Sequence, residues 1–203
     1  MNNNVIKPEW IDTLLNVLRE FAEIPNDEIV RFTDQIKVVK VAKNDHFINV
    51  GDRTDKVAFI AEGLFRIYYL SDTGKENCLV FREGGRFLSA YNSLLDNTVS
   101  RYSFQALEDS VLLYISLEDY AILLEGDECW QRVVSKYFQM LFIEKEEREV
   151  AFLSADAQQR YRLFIRKYPN LSGRISQYHI ASYLGITPEA LSRIRKKHID
   201  IDQ

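Results

Sequence analysis

Residues 176–197 read SQYHIASYLGITPEALSRIRKK. Ile180, Ala181 and Leu184 put apolar groups on one side of a short helix over 176–184. Gly185 can take a left-handed turn conformation, and Ile186 plugs the corner. Thr187 is a good helix N-cap, and Pro188 stands at the first helical position, where its missing N–H costs nothing. Leu191 and Ile194 face inward from a second helix over 188–197. Glu189, Ser192 and Arg193 stand at i, i+3 and i+4 and so share one outward face. This is the helix–turn–helix layout, which offers the first turns of its second helix to base edges in the major groove. An Arg there bonds guanine O6 and N7 together, and a Glu accepts from cytosine N4. Arg195, Lys196 and Lys197 follow, placed to neutralise phosphates, and with Thr187, Glu189, Ser192 and Arg193 they make up the candidate DNA-binding residues. The same charges also complement a helix dipole, so any short helical hairpin shows part of this pattern.

Charge distribution adds weight to the first reading. The chain has 203 residues and a net charge of −4. Residues 151–203 hold nine Lys/Arg against four Asp/Glu, or +5. By subtraction from the totals of 26 and 30, residues 1–150 hold seventeen against twenty-six, or −9. A basic end on an acidic body is the pattern of a polyanion-binding module joined to something that binds no polyanion.

Upstream, PEWIDTLLNVLREFAE (8–23) has helical spacing, with Pro8 near its start. From Val38 to about Tyr114 short β-rich runs appear: IKVVKVA, HFINV, KVAFIA, LFRIYYL, ENCLVF, YSFQAL and SVLLYI. Gly and Asp turns separate them, which predicts a β-sandwich, barrel or roll. The clearest hairpin joins Leu64–Leu70 to Glu76–Phe81 through Ser71-Asp72-Thr73-Gly74, where Gly74 can supply positive φ.

After Gly126 the chain holds neither Gly nor Pro until Leu153, and a long helix is expected. Trp130, Val134, Tyr137 and Leu141 follow a 4-3-4 spacing, and the apolar stripe gives way to EKEEREV at 144–150. One face of such a helix can cover the β-body and the other can meet a second copy of itself. A buried core helix of a monomer is the plainer alternative. Ser154 reads as the N-cap of a further helix, ADAQQRYRLFIRKY, ended by Pro169.

In this order the parts resemble the CRP/FNR family of bacterial transcription regulators. The resemblance covers nearly the whole chain, and its most specific pieces are IASYLGITPEALSRIRKK and KVAFIAEGLFRIYYLSDTGKENCLVF. It implies an α+β chain. Residues 1–125 would form a β-roll effector domain, a jelly-roll-like double-stranded β-helix. Residues 126–153 would form a dimerisation helix, and 154–203 a helix–turn–helix, winged in some relatives although little chain is left for a wing. The IASYLGITPE wording resembles regulators common in Bacteroidetes-like bacteria. The family's Glu-x-x-Ser/Gly-Arg pattern falls on Glu189, Ser192 and Arg193, while Pro188 stands where several relatives have Arg. The implied partners are double-stranded DNA, a second copy of the chain and RNA polymerase. A two-fold dimer would read half-sites about 34 Å apart.

The resemblance also allows a test of the effector. Nucleotide-binding relatives carry F-G-E-L, then P-R-S-A-T ahead of a strand like V-x-A-L-E. Their Glu holds the ribose 2′-hydroxyl and their Arg pairs with the cyclic phosphate. Aligned on Phe87 and on Ala106-Leu107-Glu108, this chain has Leu88-Ser89 for Gly-Glu and Val99-Ser100 for Pro-Arg. Arg101 comes one residue late, on the opposite face of an extended segment. A phosphate without a positioned cation loses its strongest contact. The expectation is therefore an effector other than cyclic AMP; the candidate pocket residues are Phe87, Ser89, Tyr91, Ser100 and Arg101. A cyclic-AMP-responsive regulator, with Arg101 or Arg86 swung inward, is the weaker alternative.

Other classes fare less well. Two cysteines, Cys78 and Cys129, without a CxxC, exclude a disulfide framework, a structural zinc site and a four-cysteine cluster. A cupin-like metal enzyme needs clustered histidines, but the three here are His46, His179 and His198. No G-x-S-x-G, HExxH or Walker motif occurs. Neither an enzyme nor a bound metal or cofactor is expected. A ligand-binding or scaffolding β-roll that has lost DNA binding remains the rival reading. The N-terminus has no signal-peptide pattern and no apolar run is long enough for a bilayer, so the expected compartment is the cytoplasm, away from any membrane.

Overall fold

The computed structural model describes residues 5–96 and 98–199, with the side chains of 197–199 left aside. It falls into two compact units. One comprises Met1–Ile67 and Phe81–Met140, the other Tyr68–Val80 and Leu141–Gln203.

The first unit opens with α1 (Pro8–Phe21) and α2 (Asn26–Thr33). Eight strands follow: β1 (Lys37–Val41), β2 (His46–Ile48), β3 (Lys56–Glu62), β4 (Leu64–Leu70), β5 (Glu76–Glu83), β6 (Phe87–Leu88), β7 (Ser103–Ala106) and β8 (Ser110–Ser116). They form two four-stranded sheets, ordered β1-β8-β3-β6 and β2-β7-β4-β5. A short helix α3 (Tyr91–Leu95) follows β6, α4 (Leu117–Glu125) follows β8, and α5 (Glu128–Ser154) begins here.

Side-chain alternation with a period of two sorts the strand residues between two cores. Ala58 and Ile60 of β3, Leu88 of β6 and Leu112 of β8 meet Ile48, Phe65, Phe104 and Ala106 between the sheets. Phe59 of β3 and Val111, Leu113 and Ile115 of β8 point the other way. They pack on Trp10, Leu14, Leu15 and Leu18 of α1, Phe32 of α2, Leu123 of α4 and Cys129, Trp130 and Val133 of α5. Each large apolar side chain so buried contributes about 1.5–3 kcal/mol. Two indole N–H groups are satisfied at the edge of this core. Trp10 donates to Glu62 at 2.7 Å, and Trp130 donates to the buried Glu28.

The seven β-rich runs are all strands, and the hairpin turns at Gly74 with φ +76°. Four elements escape the hydrophobic pattern. β6 has two residues and exists only through its register with Ala58 and Phe59 of β3. Helices α2, α3 and α4 are short, with five to nine residues, so tertiary packing supplies the stability their length does not. One cap is corrected. Ser154 does not start a helix; it closes α5, its hydroxyl donating back to Val150 O at 2.7 Å. The following helix, α6 (Ala157–Lys167), is capped by Asp156, which forms a reciprocal capping box with Gln159.

The second unit holds the hairpin tip, the end of α5, α6, α7 (Gln177–Leu184) and α8 (Pro188–Ile199). Its core is Tyr161, Phe164, Tyr168, Leu171, Ile175, Ile180, Ala181, Tyr183, Leu184 and Leu191. The rings of Phe164, Tyr168 and Tyr183 lie within 5.3–5.9 Å of one another. Wing strands, which would follow α8, lie outside the described residues.

Candidate nucleic-acid interface

Local chemistry fixes the geometry of the α7–turn–α8 pair. Ser176 caps α7 by accepting from the His179 N–H at 3.2 Å. At the other end Gly185 takes the left-handed conformation, φ 69° and ψ 33°. The Ile186 N–H then reaches back to Ala181 O at 3.0 Å, a closing bond that only such a turn residue permits. Ile186 is half-buried in the corner. Thr187 accepts from the Ala190 N–H at 3.2 Å and Pro188 opens α8. Leu191 is fully buried, which fixes the rotation of α8 about its axis.

With that rotation Glu189, Ser192, Arg193 and Lys196 are exposed, and Arg195 is half-buried. The pKa of Glu189 is lowered, first by a hydrogen bond from its own backbone N–H, then by the Thr187 hydroxyl and the nearby Arg193. Thr187 itself is exposed. Lys197 lies on α8, but its side chain falls outside the described residues.

The four residues of the long-helix stripe are placed differently. Trp130 is 4% exposed, its indole on Phe32 at 4.9 Å. Tyr137 packs edge-on against Phe21 and Phe87 at 5.7 and 5.1 Å. Val134 and Leu141 are half-buried. The apolar side chains that α5 leaves in solvent are Phe142, Ile143, Val150, Phe152 and Leu153, with Leu153 83% exposed. Ile143, Glu146, Val150 and Leu153 repeat at 3-4-3 spacing. The sequence signal for this second seam is diluted by the charges at 144–149.

The five candidate pocket residues have different surroundings. Phe87 points to the helix-facing core, its ring 5.1 Å from Phe59, while its neighbour Leu88 points between the sheets. Tyr91 lies against Phe138, the ring centroids 4.1 Å apart and tilted by 42°, and the pKa of Tyr120 is raised, first by burial and then by Tyr91. Ser100 is buried and spends its hydroxyl on the backbone of Tyr102. Its own backbone is zipped to the β2–β3 loop, through Gly51 N–H to Ser100 O and Ser100 N–H to Asp52 O, both 2.8 Å. Arg101 is exposed, and Arg86 is turned onto the Met140 sulfur at 3.2 Å. Ser89 keeps a buried hydroxyl oxygen with no hydrogen-bond partner among the described residues. A polar cleft of about 280 Å³ lies along Phe47–Lys56, where Asp52 and Asp55 balance Arg53 and Lys56. Among the described residues no cluster of His, Cys, Asp and Glu could hold a metal, and no helix is long and apolar enough to cross a membrane.

Residues 38–127 match the family model of the cyclic nucleotide-binding domain. No curated protein sequence matches the chain. Among solved structures, FixK2 from Bradyrhizobium japonicum superposes with a TM-score of 0.71 at 17% identity, over 80% of this chain and 83% of that one. The c-di-GMP responsive global regulator CLP of Xanthomonas campestris gives 0.71 at 15% identity, over 86% and 91%. A Crp/Fnr-family transcriptional regulator structure from Eubacterium rectale gives 0.70 at 18%, over 96% and 88%. The chain therefore has a CRP/FNR-type fold: a cyclic-nucleotide-binding-like β-sheet domain, a long helix and carboxy-terminal helices like the helix–turn–helix of those regulators.

Proposed function

We propose that the chain is a homodimeric, sequence-specific DNA-binding transcription regulator of the CRP/FNR type rather than an enzyme. The carrying observation is the exposed face of Glu189, Ser192 and Arg193 on α8, directly after a left-handed glycine and a buried Leu191. In this reading Arg193 and Glu189 address base edges, Ser192 supports them, and Arg195, Lys196 and Lys197 bind phosphates. Thr187, which precedes α8 and accepts from the Ala190 N–H, belongs to the same DNA-facing set. The two sheets are the halves of a β-roll over residues 1–125, followed by a dimer helix over 126–153 and the DNA-binding part over 154–203. RNA polymerase is the further partner of such a regulator, and the cytoplasm its compartment.

For the dimer seam we take Phe142, Ile143, Val150 and Leu153, because the Trp130 indole is already spent on Glu28. The effector is not cyclic AMP bound in the family's manner: Leu88-Ser89 and Val99-Ser100 replace the anchors, and Arg101 is exposed. The segments at 87–91 and 99–101 are where we place an effector, next to the Ser89 hydroxyl, which has no partner among the described residues.

Selection from a randomised duplex pool on the wild-type chain tests the reading. An enriched sequence is expected, with affinity falling steeply as salt rises. Arg193→Ala should erase preference at one base position by about 1–3 kcal/mol, and Lys196→Ala should weaken all duplexes alike. Unchanged preference in Arg193→Ala overturns the assignment.

A further inference from the structure

The chain has two methionines, Met1 and Met140. Met140 lies half-buried on α5, at the end of its stretch in the first unit. Its sulfur has a charged neighbour in that same unit: Nη1 of Arg86 donates to Sδ at 3.2 Å. A thioether is a weak acceptor, so a guanidinium N–H aimed at it gains less than it would from an oxygen.

Both partners are held in place. The Arg86 carbonyl accepts from the Ile60 N–H at 2.9 Å, and the Gly85 N–H donates to Ile60 O, also at 2.9 Å. Gly85 has a φ of +87°, a conformation that glycine takes at no steric cost, so the turn that presents Arg86 has a set shape. The segment that follows is docked on the same stretch of α5. The Phe87 ring lies 5.1 Å from Tyr137, and the Tyr91 ring 4.1 Å from Phe138. Strand register fixes the arginine, and aromatic packing fixes the helix that carries the sulfur.

A thioether sulfur has two lone pairs. Arg86 engages one, and the other is open to a two-electron oxidant such as hydrogen peroxide. In that reaction the sulfur lone pair forms an S–O bond and the peroxide O–O bond breaks. The hydrogen of the transferred hydroxyl passes to the departing hydroxide, which leaves as water. Sulfur is oxidised by two electrons and the peroxide is reduced by two. The sulfoxide oxygen is a polar group that costs free energy when buried without a donor. Here a cationic donor already stands at hydrogen-bond distance from the sulfur, and a small turn of the guanidinium moves the bond from sulfur to oxygen. The two cysteines compete poorly for the same oxidant. Cys78 and Cys129 are 2% and 3% exposed, and burial first, then Asp127, pushes the Cys129 thiol up to about 12.

We propose that Met140 is a covalent modification site, oxidised by peroxide-class oxidants to predominantly one sulfoxide epimer whose oxygen is held by Arg86. The site lies wholly within the first unit and stands independently of what α8 binds.

The test treats the folded full chain with hydrogen peroxide until Met140 carries one oxygen, located by peptide mapping, which separates it from Met1. The peptide is then offered to the two methionine sulfoxide reductases, each of which reduces one epimer. From the folded chain one reductase should restore about tenfold more peptide than the other; from a chain oxidised in urea the two should restore equal amounts. Arg86→Ala should bring the folded chain to that equal split. Arg86→Leu, which keeps the aliphatic bulk, takes its place if Arg86→Ala fails to fold. On heating, oxidised wild type should unfold within about 2 °C of the reduced protein, whereas oxidation should lower the midpoint of the Arg86 variant by about 5 °C. Met140→Leu should show no peroxide-dependent shift. No oxygen on Met140 in the folded chain under conditions that oxidise it in urea overturns the proposal. So does an even split of epimers in folded wild type, a bias that survives loss of Arg86, or a shift that persists in Met140→Leu.

Discussion

Gly185 and Phe152 touch so closely that a Cβ built on the glycine would lie 2.9 Å from Cε1 of the ring. The glycine also has a φ of +69°. Gly185→Ala therefore meets two penalties, a left-handed alanine costing about 1–2 kcal/mol and a contact that pushes the Phe152 ring away. Urea unfolding should show a loss of that size or more. An unchanged midpoint would mean that the turn relaxes without help from its neighbours.

Trp130 is a core residue with a polar duty. Its N–H serves the buried carboxylate of Glu28, whose other oxygen is held by Arg31 at 3.1 Å. Trp130→Phe keeps most of the apolar contact with Phe32 but leaves one carboxylate oxygen without its donor. A loss of about 1–3 kcal/mol is expected in chemical denaturation, with an unaltered denaturant slope. Oligomeric state should not change.

The exposed seam of α5 should behave in the opposite way. Leu153→Asp and Ile143→Asp remove nothing from the subunit core, so unfolding of the monomer should hardly move. Each should shift a dimer toward monomer in sedimentation, because burial of a Leu or Ile is worth about 1.5–3 kcal/mol per copy. A wild-type chain that sediments as a monomer, or a Leu153→Asp chain that stays dimeric, contradicts the seam.

Acid should destabilise the fold through carboxylates with lowered pKa. The Asp127 carboxyl is held down by the backbone N–H of Cys129, which it caps at 2.8 Å. Glu62 is held down by the Trp10 indole and then by Lys7. Glu189 follows by the bonds already given. A carboxylate whose folded pKa lies below its unfolded value adds stability above the unfolded pKa, and that stability is lost as pH falls through the folded one. Unfolding free energy should therefore be level near neutrality and decline below about pH 4.5, under the ordinary carboxylate range. Trp10→Phe should flatten that decline, and a curve that rises on acidification would refute the sign.

Punctuation made the carboxy-terminal helices legible. Gly185, Thr187 and Pro188 each have one strong local preference, and the structure uses all three. The strands were legible for a similar reason, since alternation and turn residues are local signals. What was hidden depends on partners distant in sequence. The direction of Phe87 follows from its pairing with Phe59 across a two-residue strand, not from the apolar pattern around it. Arg148 sits in a run of glutamates that reads as a solvated face, yet it is half-buried and bonded to Cys78 and Tyr183, 70 and 35 residues away. The 4-3-4 spacing on α5 gives a period, and a period alone does not say which of its side chains pack inward.

Thirteen residues from the middle of the polypeptide, Tyr68–Val80, fold with its final third. The half of the molecule that would meet DNA is therefore not severable at a single peptide bond. A fragment beginning at Leu141 would strip the Ser182 hydroxyl of both its backbone partners and leave Arg148 one acceptor short. Inheritance of this module by gene fusion would have to bring its loop along or replace it.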